Sequence, residues 1–272
     1  MQFRRFQNRI LFYFLSFFSA ILVVVFLVVN AVILKNAREQ LNNTLAVSSK
    51  VFDQMISARE RLLVQATRSL SHDHSFIKAF AKNNSATTLS AVRNLRDRIR
   101  ADAMILVSLE GTVMADSGGK GKPGQPVAFP DLIELADEED EASGVVIVEG
   151  TAYHMVVVPL LMPLPEAWIC AGFMIGDELA HKIEKVTLSH ISIVQKHRDD
   201  SFSRLASSLS SNQLETVMRK LSSAQIRPED TGSILMGDGD QFITIIKELP
   251  GGPVSVVLQR SLRQALKPFR PL

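Results

Sequence analysis

Cysteine is almost absent from this chain of 272 residues, in which Cys170 is the only one. An intramolecular disulfide is therefore impossible, and any folded part depends on its core alone. We expect Cys170 to be a small buried strand residue. Net charge is also nearly absent, since 30 lysines and arginines against 28 aspartates and glutamates leave +2 at neutral pH. No basic stripe with interleaved aromatic residues is present, so we expect no nucleic-acid partner.

Motifs typical of catalysis and metal binding are missing as well. The sequence contains no nucleophile elbow, no phosphate-binding loop and no pair of carboxylates in a supportive context. His72 and His74 form the one close pair of histidines, and no cysteine or glutamate joins them at a zinc spacing. We therefore expect no enzyme activity, no cofactor and no metal site in this chain.

Long apolar runs are absent except for one near the N-terminus. Residues 10–34 contain no charged side chain, and these 25 residues in a helix extend roughly 37 Å, enough to cross a bilayer. Arg4, Arg5 and Arg9 precede the run, which predicts a cytoplasmic N-terminus and an extracytoplasmic remainder. A cleaved signal peptide is the alternative, but its apolar core would span only about 7–15 residues. We predict an uncleaved anchor.

Glycine and proline are absent from residues 35–70, which predicts a long helix rising from the membrane. Its apolar positions recur close to a heptad spacing: Leu41, Leu45, Phe52, Met55, Leu62 and Ala66. Two interpretations stay open, a helix packed on its own domain and the seam of a parallel homodimer. Because the folded modules begin well after this helix in the sequence, we expect a second copy to cover Leu41, Leu45, Phe52 and Met55.

Short apolar segments separated by tight turns fill the rest of the chain, and they predict antiparallel sheets in an α+β fold. The pattern occurs twice, more weakly the second time. We predict strands at 103–109, 112–116, 145–148, 152–160 and 168–175, then at 191–195, 233–236, 242–249 and 254–258, with a polar turn at 198–203.

Several segments in this order resemble a known class of sensor. They are RIRAD at 98–102, GTVMAD at 111–116, YHMVVVP at 153–159, AWI at 167–169 followed by GF at 172–173, and VLQRSL at 257–262. The sequence from about residue 3 to 269 resembles the double Cache domains, two stacked PAS-like modules, of bacterial transmembrane receptors. The resemblance is to the type found in front of diguanylate cyclase, phosphodiesterase or histidine kinase modules.

The resemblance implies an extracytoplasmic sensory domain that binds a small-molecule signal and passes it to a cytoplasmic output domain. It places the chain in the cell inner membrane with its bulk in the periplasm. A non-catalytic interaction or dimerisation module without a small ligand is the alternative. The expected parts are a cytoplasmic stub (1–9), a transmembrane helix (10–34), juxtamembrane and connecting helices (35–84), a membrane-distal Cache module (85–186), a membrane-proximal Cache module (187–262), and a C-terminal helix (263–272) leading toward a second membrane span.

Four residues are candidates for ligand contact in the first module: Arg98, Asp116, Tyr153 and His154. Strand alternation puts Tyr153 and His154 on opposite faces, so at most one of them lines a pocket. The resemblance suggests that Asp116 binds an amine, as acidic residues do in amine-sensing relatives, although a turn or cap role is the alternative. We expect Trp168 to be a core residue.

Overall fold

The computed structural model describes residues 2–82, 84–119, 121–197, 199, 201–224, 231–235, 239–249 and 253–266. Its first element, α1 (Gln2–Arg68), is one unbroken helix of 67 residues. By length and composition, α1 contains a segment able to cross a membrane, and its most apolar window is not buried inside the protein. Side chains of residues 15–32 are exposed to the surroundings, as lipid-facing side chains must be.

The remaining elements follow α1 as two helix-and-sheet units. The first unit contains α2 (His74–Ala81), α3 (Ser85–Ile99), β1 (Ala103–Val107), β2 (Val113–Asp116), α4 (Pro130–Glu139), β3 (Ala142–Val148), β4 (Thr151–Leu161), β5 (Pro165–Met174) and α5 (Asp177–Thr187). The second contains β6 (His190–Lys196), β7 (Phe202–Ser207), α6 (Ser211–Ala224), β8 (Thr231–Leu235), β9 (Gln241–Glu248), β10 (Val254–Ser261) and α7 (Leu262–Leu266).

Each unit is built on one five-stranded antiparallel sheet, and the two sheets have the same topology. Sheet 1 has the strand order β2-β1-β5-β4-β3, and sheet 2 has the order β7-β6-β10-β9-β8. In each sheet the first strand of the unit pairs with the last strand: β1 with β5 and β6 with β10. The chain therefore forms both edges of the sheet before its last strand closes the middle. The predicted α+β architecture of two antiparallel-sheet modules is confirmed.

Helix α1 runs along both modules and packs on each of them. Its residues 37–52 share a core with sheet 2, in which Leu41, Leu45 and Phe52 are buried. Farther along, Leu63 and Val64 pack against the core between α3 and sheet 1. Sheet 2 therefore lies beside the part of α1 nearest the apolar segment, and sheet 1 lies beside its far end. We call the units the membrane-proximal and membrane-distal modules.

The expectation that a second copy covers Leu41, Leu45, Phe52 and Met55 is wrong. Leu41, Leu45 and Phe52 are at most 4% exposed within a single chain, and the half-buried Met55 packs against the same core, because this side of α1 packs against β-strands and α7 of the membrane-proximal module. That module follows α1 by more than a hundred residues in the sequence, yet it folds back beside the start of the helix. The part of the stripe from Leu41 to Met55 is an intramolecular packing face, whereas Leu62 is exposed.

Two segments in the second half differ from the expected elements. The polar turn predicted at 198–203 overlaps a strand, because β7 begins at Phe202 and pairs with β6; residues 198 and 200 lie outside the described part. Alternating polar side chains on this edge strand hid it from the hydrophobic pattern. The predicted C-terminal helix at 263–272 is represented by α7, which ends at Leu266, and residues 267–272 lie outside the described part.

Candidate functional site

The membrane-distal module contains a cavity of about 280 Å³ between sheet 1 and the segment 117–129 that follows β2. Ligand pockets commonly measure about 300–1,000 Å³, so this cavity lies just below the lower end of that range and suits a ligand of few atoms. Its walls are largely apolar. The sheet contributes Ile105, Val113, Tyr153 and Met155 from β1, β2 and β4, and the segment 117–129 contributes Val127 and Phe129. The mouth is polar: Asp102, Lys122, Gln125 and Glu149.

The described residues of the segment 117–129 lie over the sheet, and backbone hydrogen bonds join the segment to β2. The Val113 N–H donates to the Gln125 carbonyl at 2.9 Å, and the Gly124 N–H donates to the Val113 carbonyl at 2.8 Å. Gly124 has a φ of +86°, a region that side-chain-bearing residues rarely adopt, so the return of the segment toward β2 requires glycine there. The cavity therefore has a defined outer wall.

Asp116 ends β2 inside the cavity and is only 6% exposed. Its two carboxylate oxygens accept hydrogen bonds from the Gly118 N–H at 2.8 Å and the Gly121 N–H at 2.6 Å. These bonds make Asp116 a turn residue that shapes the outer wall. They also fix a negative charge beside the cavity, so the two roles weighed for this residue are compatible in one geometry.

Tyr153 lines the same cavity as Asp116, and its neighbour His154 does not. Tyr153 is 7% exposed and lies on the cavity face of β4 together with Met155. His154 lies on the opposite face of β4, where α1 packs. The structure thus brings together two of the four predicted residues, Asp116 and Tyr153, on one face of sheet 1.

Arg98 also lies away from the cavity. It belongs to α3 and donates a hydrogen bond to Asp73, which caps the N-terminus of α2 by accepting from the Phe76 N–H at 2.8 Å. The Arg98 bond, followed by the Phe76 bond, lowers the pKa of the Asp73 carboxyl below its usual value. Arg98 therefore joins α2 to α3 on the side of the module away from the segment 117–129.

His154 occupies a buried polar region between β4 and α1. It is 6% exposed, and its Nε2 atom finds no hydrogen-bond partner among the described residues. Burial lowers the pKa of His154, while the nearby Glu60 charge opposes that shift and Arg59 adds to it. Glu60 in turn accepts a hydrogen bond from Ser143 of β3. Strand β4 thus faces the cavity through Tyr153 and the long helix through His154.

Sequence reasoning missed the charged residues at the mouth. Asp102 immediately precedes β1, and one of its oxygens accepts the Met174 N–H at 2.7 Å. Glu149 lies in the turn between β3 and β4. The predicted hairpins contained part of the signal. The pairing of β1 with β2, and of β5 with both β1 and β4, places the start of β1, the end of β2 and the β3–β4 turn at one end of the sheet.

Metal chemistry finds no support in the described part of the chain, where no group of three or more histidine, cysteine, aspartate or glutamate side chains is arranged to hold an ion. Cys170 is fully buried in β5, and burial raises the pKa of its thiol, which keeps it protonated and unreactive. The cavity accordingly offers apolar walls and charged groups for binding.

Comparison with known proteins decides the family. The model of the double sensory domain of two-component sensor kinases, a double Cache family, matches residues 38–266. The chain belongs to this double Cache family. The match begins within α1 after its apolar segment and ends in α7, so it includes both modules. The family is a sensory one, and its members are the sensing parts of receptors.

Solved structures support the same fold for this double Cache chain. The sensor domain of the Vibrio cholerae histidine kinase DctB has a TM-score of 0.53 and 15% sequence identity, over 80% of this chain and 96% of that one. A domain of a sensory box/GGDEF family protein from Vibrio parahaemolyticus has a TM-score of 0.52 and 11% identity, over 86% and 99%. No curated protein matches the sequence. At such low identities the likeness concerns the fold.

Proposed function

We propose that this double Cache protein is a membrane-anchored receptor part that binds a small molecule in the cavity of its membrane-distal module. The observation that carries the proposal is the cavity itself, which is lined by an apolar wall and a polar mouth in the module farther from the apolar segment of α1. Membership of a sensory family and the lack of catalytic motifs support binding over turnover. Residues 85–186 and 187–262 are the proposed functional units.

The location we propose is the cell inner membrane, with both modules in the periplasm. The apolar segment of α1 and the arginines that precede it support this orientation. In this arrangement, the cavity lies in the periplasm, and α1 extends from the modules into the membrane. A cytoplasmic output domain is the proposed recipient of the signal.

Strand β4 is the proposed connection between the cavity and α1. Tyr153 and Met155 of β4 line the cavity, and the alternate residues His154 and Val156 face the side on which α1 packs. A ligand shifts the receptor only if it binds one state more tightly than another. We propose that those two states differ in the position of β4 against residues 59–64 of α1.

A thermal-shift screen of the full-length chain in detergent tests whether the cavity binds ligands. A small molecule that binds only the folded state should raise the melting temperature, and the rise should grow with concentration. Ala128 is exposed at the mouth, so Ala128→Trp should obstruct entry and abolish the rise. Ala81→Trp, at an exposed position at the end of α2, is the matched control. Ligands that stabilise the wild type and Ala128→Trp equally would show that they bind elsewhere.

A second candidate function is protein interaction through α1, with pairing of two copies. Val47 and Leu62 are 60% and 66% exposed on α1, and the half-buried Val51 and Ala58 lie between them on the same side. Their spacings of 4, 7 and 4 residues keep them on one side of the helix, and a parallel pair of identical helices is self-complementary. This side of α1 differs from the buried Leu41–Leu45 side, and we propose it as the homodimer seam.

A further inference from the structure

A second opening, which we call the inter-module crevice, lies where the two modules meet. It measures about 360 Å³ and is larger than the cavity of the membrane-distal module. The membrane-distal module forms one side of the crevice with the start of α4 and with strand β3. The apolar side chains on this side are Phe129, Leu132, Leu135, Val145, Val146 and Ile147.

The membrane-proximal module forms the other side of the crevice with Gln195 of β6 and with Pro253, just before β10. The Lys196 N–H donates to the Pro253 carbonyl at 2.8 Å, which joins these two ends of sheet 2. Asp131 carries the one charge among the described lining residues. Apolar surface in a groove costs free energy while it stays hydrated. A bound apolar chain removes that cost and contacts both modules at once.

The crevice adjoins the cavity of the membrane-distal module. Ala128, Phe129 and Ile147 line both openings, so these residues form the wall between them. The Phe129 backbone is fixed where α4 begins, since its carbonyl accepts the Leu132 N–H at 3.3 Å. Its ring has no polar atom and is held by packing alone, so displacing the ring breaks no hydrogen bond. The two openings can therefore hold one ligand.

The two openings differ in polarity. Asp102, Lys122 and Gln125 place a carboxylate, an ammonium group and an amide at the mouth of the cavity. A hydroxyl group suits such a mixed set, because it donates to a carboxylate and accepts from an ammonium group or an amide. We propose, on the basis of the proposed sensor function, that the ligand is an uncharged amphipathic molecule. Its hydroxyl-bearing head lies in the cavity, and its unbranched apolar tail passes Phe129 into the inter-module crevice.

A tail in the crevice makes binding depend on how the two modules are arranged. The ligand binds most tightly to the arrangement in which Gln195 and Pro253 close on the tail. A ligand shifts a receptor toward the state that it binds more tightly. Because the membrane-proximal module packs on α1 around Leu41 and Leu45, that shift reaches the part of the helix nearest its apolar segment.

A homologous series of 1,2-diols tests the tail, because its members share one head group and differ only in chain length. Butane-1,2-diol, hexane-1,2-diol and octane-1,2-diol are titrated into the full-length chain in detergent, with calorimetry and thermal shift as readouts. Each buried methylene is worth about fourfold in affinity. Octane-1,2-diol should therefore bind the wild type about tenfold or more tightly than butane-1,2-diol does, after some is lost to micelles.

Variants that fill the crevice separate the tail from the head. Leu135→Trp on α4 and Gln195→Trp on β6 should each remove most of the gain with chain length. Neither residue lines the cavity, so binding of butane-1,2-diol should stay unchanged. Leu164→Trp, at an exposed leucine between β4 and β5, is the matched control and should leave the whole series unchanged. All proteins are measured in the same detergent, so micelles take up the same share of each diol.

The outcomes separate the tail from the sensor function. A gain with chain length that Leu135→Trp and Gln195→Trp both retain would overturn the tail proposal. Where one of these two variants does not fold, the other tests the same crevice from the opposite module. Equal affinities of the three diols for the wild type, with binding lost in Ala128→Trp, would also overturn the tail proposal and leave the cavity as the sensor site. Failure of all three diols to bind at millimolar concentration would overturn it too, and the thermal-shift screen would then decide the proposed function.

Discussion

At the scale of single residues, His154 places a titratable group in the buried interface between β4 and α1. Burial lowers its pKa, so the unfolded chain takes up a proton on this residue at a higher pH than the folded chain does. Between about pH 7 and pH 5, the unfolded state therefore binds more protons, and the free energy of unfolding should fall as the pH falls through about 6.5. His154→Gln should flatten that dependence.

Denaturant unfolding of the wild type and His154→Gln over this pH range measures the difference. The comparison is one of slopes, because the substitution also changes packing at every pH. The acidic limb at lower pH is separate, since Asp73 and Asp177 have lowered pKa values and lose their stabilising charges only there. Identical slopes in the two proteins between about pH 7 and pH 5 would show that His154 does not couple protonation to folding.

Trp168 is a core residue whose replacement should lower the free energy of unfolding. It is 3% exposed in the core between sheet 1 and α4, and it does not line the cavity. Trp168→Ala should lower the free energy of unfolding by about 3–5 kcal/mol through lost burial and a new void. Trp168→Phe should cost less, since the indole Nε1 has no hydrogen-bond partner among the described residues. Chemical denaturation compares the two, and equal costs would contradict this ranking.

Single residues also show what the sequence could predict of the site. Strand alternation separated Tyr153 from His154 correctly, because it depends only on local geometry. The sequence could not show that Arg98 would pair with Asp73, since two helices had to be positioned before the pair could form. Asp102 and Glu149 were missed because residues at strand ends resemble ordinary turn residues in the sequence. Only the order of the strands in the sheet shows that the two residues lie at one cavity.

At the scale of elements, α1 has two apolar sides with different partners. The side with Leu41 and Leu45 is buried within the chain, and the side with Val47 and Leu62 is exposed. Periodicity predicted the helix but could not assign the buried side, because the covering module comes from distant sequence. The sequence failed to predict β7 for the same reason. This edge strand is defined by its pairing with β6, which is distant information, more than by its own residues.

Cysteine cross-linking in membranes tests the seam on α1. In a Cys170→Ser background, cysteine at Val47 or Leu62 should form disulfides between subunits, because a parallel pair places identical positions opposite each other. Cysteine at Glu39 or Ser57, exposed on another side of the helix, should cross-link less, and cysteine at the buried Leu45 should not. Equal yields at the four exposed positions would remove the basis for this homodimer seam.

At the scale of the whole molecule, α1 is the one described element that contacts both modules and also contains the apolar segment. The arginines before that segment predict that everything after Lys35 lies outside the cytoplasm. Alkaline phosphatase fused after Leu272 should therefore be active, and a fluorescent protein that folds only in the cytoplasm should stay dark there. The reverse pattern would invert the proposed orientation and place the cavity in the cytoplasm.

Hydrogen–deuterium exchange of the full-length chain, with and without a ligand that passes the thermal screen, tests the central claim most directly. If the ligand occupies the cavity and β4 passes the change to α1, amides in residues 117–129 and in β4 should exchange more slowly when ligand is present. Amides in residues 59–64 of α1, beside β4, should change their exchange rate as well. Ligand-dependent protection confined to the membrane-proximal module, with the cavity and this part of α1 unchanged, would contradict the account.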